Sequence, residues 1–119
     1  MAAALQITER TSGDVTILDL KGRVVLGEGD DPFRRHIESL VKQGRLKIVL
    51  NLREVTYIDS AGVGVMVGKL VSVRKLGGDV RLLHLVQRNL RVMTITKLVT
   101  VFETFEAEEQ AVRSFETDG

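Results

Sequence analysis

The sequence predicts a single α/β domain, its mixed sheet of four to five strands packed with about four helices. Three observations predict it. A roughly alternating segment and a mostly apolar one near the N-terminus are joined by turn residues and read as a hairpin. Helix-like and strand-like patterns then alternate, as they do in an α/β layer. One later segment, Lys47–Leu52 ("KIVLNL"), is near-continuously apolar, as a strand covered on both faces must be. The 119 residues suit one domain spanning 1–119.

Leu5–Arg10 ("LQITER") and Val15–Leu20 ("VTILDL") are the hairpin strands, with Ser12-Gly13-Asp14 as the turn. Gly22–Asp30 reads as a short β-like piece followed by a glycine-rich loop. Asp31-Pro32 is expected to start a helix, Asp accepting from free backbone N–H groups and Pro fitting the first position. Phe33, Ile37, Leu40 and Val41 share one face of that helix, and Gly44 is placed to end it. A second helix is expected from Ser60 to about Leu76, stopped by Gly77-Gly78. Val80–Leu85, Arg88–Thr96 and Val99–Phe105 read as strand, short helix and strand. Ala107, Ala111, Val112 and Phe115 mark a C-terminal helix.

Composition narrows the function. Lys plus Arg (17) nearly balance Asp plus Glu (16), for a net charge of +1, which is not the electrostatic footprint of a nucleic-acid binder. There is no Cys, hence no disulfide framework and no thiolate metal site. The start, "MAAALQITER", lacks the basic and apolar regions of a signal peptide, and no run is apolar enough to span a bilayer. These features predict a cytoplasmic protein.

The informative stretch is Val55–Leu70, "VTYIDSAGVGVMVGKL". At 100° per residue, Val63, Met66, Val67 and Leu70 cluster as a core face. The opposite side carries Ala61, Gly64, Val65, Gly68, Ser72 and Leu76. A helical glycine costs about 1 kcal/mol relative to alanine, so Gly62, Gly64 and Gly68 need a reason. Close packing within the domain is one. The other is an outer face of small residues that a second protein's backbone approaches, which suits Gly64 and Gly68 better than Gly62. Either Ser60 or Asp59 is placed to cap this helix. Phosphorylation of Ser60 would add about −1.5 to −2 charges at pH 7. A helix N-terminus tolerates such a charge, whereas a partner would have to desolvate it to bind.

The motif "YIDSAGVGVMV" resembles the signature of STAS domains, and of bacterial anti-sigma factor antagonists in particular. The order of elements around it, down to "VFETFEAEEQAV", resembles the family over nearly the whole chain. The resemblance implies a STAS-like fold without catalytic residues or cofactors. It implies a protein partner, an anti-sigma factor serine kinase, bound in the unphosphorylated state and released when Ser60, the residue after the Asp, is phosphorylated. The expected partner-binding residues are Asp59, Ser60, Ala61, Gly62, Gly64, Val65 and Gly68, with Arg23 from the loop after Gly22. That loop reads Arg23-Val24-Val25-Leu26, with acidic groups only at Glu28, Asp30 and Asp31. Homodimer formation stays open.

Other readings compete. Within the same resemblance, the chain fits an accessory subunit of an ABC lipid transporter or a stress-signalling scaffold. As a different class, a small-ligand or nucleotide-binding module would use Gly62-Val63-Gly64 and Gly68, but His84 and Leu85 stand where the dinucleotide fingerprint needs an acidic residue. Ser60 as a hydrolase nucleophile lacks the first Gly of the G-x-S-x-G elbow, and neither His36 nor His84 has an orienting partner in the sequence. Arg34-Arg35 and Arg74-Lys75 read as solvated helix charges.

Overall fold

The structure is a computed structural model that describes residues 5–85 and 101–116. The chain runs β1 (Leu5–Ser12), β2 (Val15–Val24), α1 (Asp30–Lys42), β3 (Lys47–Ile58), α2 (Ser60–Lys75), β4 (Asp79–Leu83), β5 (Thr104–Phe105) and α3 (Glu108–Ser114). The sheet order is β1-β2-β3-β4-β5. β1 and β2 form the expected antiparallel hairpin, and the remaining neighbours are parallel, so the sheet is mixed. Gly13 closes the hairpin at φ +60°, a conformation glycine adopts without strain.

The parallel pairs β2–β3 and β3–β4 are joined through α1 and α2. Both helices lie on one face over the main core, where Leu18, Leu20, Ile48, Leu50, Leu52, Val80 and Leu82 meet Phe33, Ile37, Leu40, Val63, Met66 and Leu70. The second face carries a smaller cluster in which Ala111 and Phe115 cover Val15, Ile17, Val49 and Leu83. β3 is buried on both sides: Ile48, Val49 and Leu50 are fully inside. That is why its sequence shows no alternation.

Several boundaries move. β2 runs on to Val24 and β3 to Ile58, well beyond Leu20 and Leu52. The reason is two irregularities in pairing. Asp19 and Lys21 face Asn51 and Glu54, and Gly22 and Arg23 face Val55 and Tyr57, so β3 accommodates an extra residue at each place. Its inward residues Leu52, Val55 and Ile58 are therefore spaced by three rather than two, which hides a strand from a period-two reading. α1 starts at Asp30 with Gly29 as its cap residue, not at Asp31. Asp30 folds its carboxylate back onto the N–H groups of Gly27 and Asp31, each at 2.9 Å. The helix ends as expected: Gly44, at φ +75°, donates to Val41 O, and Arg45 donates to Leu40 O.

β4 stops at Leu83, because His84 turns the chain at φ 56°. Of the predicted Val99–Phe105 strand, the described residues 101–105 form a strand only at Thr104–Phe105, as β5. The Arg88–Thr96 helix, and Val99 and Thr100, lie outside the described residues, which contain three helices. Arg74 is more than a solvated charge, since it donates to Asp79 and to Val101 O, both at 2.7 Å. Among the described residues no helix is long and apolar enough to cross a membrane, and no group of His, Asp or Glu could hold a metal ion.

Candidate functional site

The parallel pairing of β2 and β3 brings Val24 opposite Ile58. The segments leaving the carboxyl ends of these two strands, the Val25–Gly29 loop and the start of α2, therefore emerge side by side. The edge of an open α/β sheet beyond its strand ends is where such folds commonly place functional groups. Ser60 stands there.

Asp59, not Ser60, caps the helix. Its backbone is extended (φ −90°, ψ −179°), and its Oδ1 accepts from the Gly62 N–H at 2.8 Å. Its Oδ2 accepts from the Leu26 N–H at 3.0 Å. The Asp59 N–H in turn donates to Val24 O at 3.3 Å. The Leu26 bond first and the Gly62 bond second hold the Asp59 carboxyl below its ordinary value of 3.8. A lowered carboxyl stabilises the fold above its unfolded value, and that contribution is lost as pH falls through the lower, folded value. The amide NMR shifts of Leu26 and Gly62 are therefore expected to titrate together with a midpoint below 3.8. A midpoint at or above that value would contradict the geometry. Reading these two amides separates Asp59 from Glu9, Asp19 and Glu108, whose carboxyls are lowered by neighbouring Arg side chains.

With the cap assigned to Asp59, Ser60 is the first helical residue. It is exposed, and its hydroxyl has no hydrogen-bond partner among the described residues. Three glycines on α2 separate into two kinds. Gly62 is buried, and a Cβ there would overlap the Val24 carbonyl, so the helix start can lie on the end of β2 only because the side chain is absent. Gly64 and Gly68 are exposed, and a Cβ added at either would meet nothing within 4 Å. Of the remaining expected partner-binding residues, Ala61 and Val65 are half-buried beside them. Arg23, exposed at the end of β2, pairs with Glu28 across the loop at 2.5 Å. The core face of α2 holds Val63, Met66 and Leu70 as expected, with Val73 in addition, while Val67 is only half-buried.

Two exposed residues that the sequence pattern does not single out stand near the same strand ends. Leu26, on the loop, is 72% exposed, and Tyr57, paired with Arg23 at the end of β3, is 51% exposed. Leu26 lies next to the helix start, its N–H bonded to Asp59, and Gly64 and Gly68 line the open side of α2 beyond Ser60. Exposed apolar and small residues at one end of the sheet suit association with a protein. Two hollows among the described residues lie elsewhere. One, of about 410 Å³, is lined by Gly13, Gly44, Lys47 and Gly77; the other, of about 440 Å³, by Arg10, Asp19, Asn51 and Arg53.

Comparison with known proteins places the chain in a family. The family model described as the STAS domain matches residues 6–111. The anti-sigma-B factor antagonist of Listeria monocytogenes is 37% identical over 112 residues, covering 91% of this chain and 93% of the relative. That of Bacillus subtilis is 34% identical over 81 residues, 68% of this chain and 73% of the relative. Among solved structures, the Bacillus cell fate determinant SpoIIAA in its phosphorylated form matches with a TM-score of 0.70 at 21% identity, over 94% of this chain and 99% of that one. At that identity the match shows the shared fold. By the family model and by both relatives, the chain belongs to the STAS domain family.

Proposed function

We propose that the protein is an anti-sigma factor antagonist that binds an anti-sigma factor serine kinase while Ser60 is unmodified and lets go when Ser60 is phosphorylated. The observation that carries this reading is the Ser60 hydroxyl, exposed and free of structural duty because Asp59 caps α2 in its place. The relatives named as anti-sigma-B factor antagonists support the regulatory role, and the phosphorylated form of SpoIIAA is a precedent within the same fold.

The chemistry belongs to the kinase, and this chain is its substrate rather than an enzyme. The γ-phosphorus of ATP forms a bond to Ser60 Oγ, its bond to the β–γ bridging oxygen breaks, ADP leaves, and the hydroxyl proton passes to a base of the kinase. The product carries about −1.5 to −2 charges. The first turn of α2 accepts that charge through its dipole, so the domain keeps its fold. The docking surface does not keep its function. A partner covering Ser60 would have to strip water from a dianion lying beside the Asp59 carboxylate, and burying charge without a counter-charge costs several kcal/mol.

Incubation with the cognate anti-sigma factor kinase and ATP, followed by peptide mass spectrometry, tests the site. One added phosphoryl group on the peptide containing Ser60, absent from Ser60→Ala, is expected. Modification at another residue, or modification persisting in Ser60→Ala, overturns the assignment.

A further inference from the structure

The Val25–Gly29 loop closes on itself through the Val25 carbonyl, which accepts from Glu28, Gly29 and Asp30, and through Asp30 Oδ1, which accepts from the Gly27 N–H at 2.9 Å. At its tip stands Leu26, the most exposed large apolar side chain among the described residues. What ties that tip to the start of α2 is Asp59, whose carboxylate reaches the Leu26 N–H on one side and the Gly62 N–H on the other. Capping a helix needs a single acceptor oxygen, and Ser, Thr or Asn supply one as well as Asp does. An ionised carboxylate alone among these offers an acceptor in both directions and a donor in neither. The second oxygen is what distinguishes Asp at this position.

We infer that Asp59 is a positioning residue that latches the loop to the first turn of α2 and holds Leu26 beside Ser60 as a fixed apolar anchor for the protein partner. The partner is that of the functional reading above, on which this inference rests. The loop also carries Glu28, which holds Arg23, so the latch fixes the charged rim of the surface together with its apolar tip. A side chain held in place before docking loses less conformational freedom on binding. Leu26 thereby has the features of an anchor at the centre of a contact surface, although an isolated leucine on a loose loop would not.

Asp59→Ser and Asp59→Asn in the full chain test this. Ser has one oxygen for Gly62. Asn keeps its carbonyl for Gly62 but turns an NH₂ donor toward the Leu26 N–H. Both keep the cap and lose the latch. The Leu26 amide is expected to exchange its hydrogen at least about tenfold faster in both variants, with the exchange of core β3 amides unchanged. Affinity for the cognate anti-sigma factor kinase is expected to fall at least about tenfold, and Leu26→Ala to weaken binding comparably, with little further loss when combined with Asp59→Asn. Unchanged Leu26 exchange in Asp59→Asn overturns the latch, whether or not the Ser variant folds. Faster exchange with undiminished kinase binding overturns the anchor role. If the wild-type protein itself does not bind the kinase, the functional reading fails, and the exchange measurement still decides the latch.

Discussion

Ser60→Asp is expected to weaken binding to the anti-sigma factor kinase about a hundredfold, ~2.7 kcal/mol, while moving Tm by no more than about 2 °C. The two halves of this prediction come from the two sides of one residue. Toward the protein, Ser60 meets nothing that a carboxylate would disrupt: the hydroxyl has no partner among the described residues and Asp59 already caps α2. A negative side chain in the first helical turn gains about 0.3–1 kcal/mol from the dipole, and repulsion from the Asp59 carboxylate offsets part of this. Toward the partner, the same carboxylate, lying next to the Asp59 carboxylate, must lose its water when a protein covers it. Calorimetric titration against the kinase and a thermal melt read the two halves separately. A drop in Tm of about ten degrees would show that Ser60 serves the fold.

The second large effect separates glycines that look alike in the sequence. Gly62→Ala is expected to cost about 3 kcal/mol of stability, or roughly 12 °C in Tm, because the new Cβ overlaps a backbone carbonyl, that of Val24, which cannot rotate away as a side chain would. Gly64→Ala and Gly68→Ala should each stabilise by about 0.5–1 kcal/mol, since both are exposed helical positions with open space around them. Enlarging them to Leu leaves the fold intact but is expected to weaken kinase binding at least about tenfold, ~1.4 kcal/mol. Thermal melts of the three alanine variants decide the matter. Destabilisation by Gly64→Ala equal to that by Gly62→Ala would mean that the outer face of α2 is not a free surface.

The elements governed by local pattern are legible in the sequence. The hairpin follows from alternation and Gly13, the doubly buried start of β3 from its unbroken apolar run, and the inner face of α2 from helical spacing. What stays hidden depends on register. The far half of β3 is a strand whose inward residues recur every third position, because its pairing with β2 slips twice. The same pairing sets the loop after β2 beside the start of α2. Nothing local in Val24-Val25-Leu26 indicates that Leu26 turns outward, nor that its N–H meets a carboxylate 33 positions away. The candidate site is thus legible as the Asp59-Ser60 pair and the glycine face, while Leu26 and Tyr57 become visible only once the strands are aligned. Arg74 looks like a solvated charge in the sequence for the same reason, its acceptors being supplied by β4 and by Val101.

One phosphoryl group on Ser60 is expected to change the surface and spare the scaffold. The direct measurement is calorimetric titration of the kinase with unmodified protein and with protein stoichiometrically phosphorylated on Ser60, with a thermal melt of each. The expected result is binding by the unmodified form, affinity at least about a hundredfold lower for the phosphorylated form, and melting temperatures within about 2 °C of one another. Equal affinity of the two forms, or a phosphorylated form that has lost its cooperative melt, would contradict it.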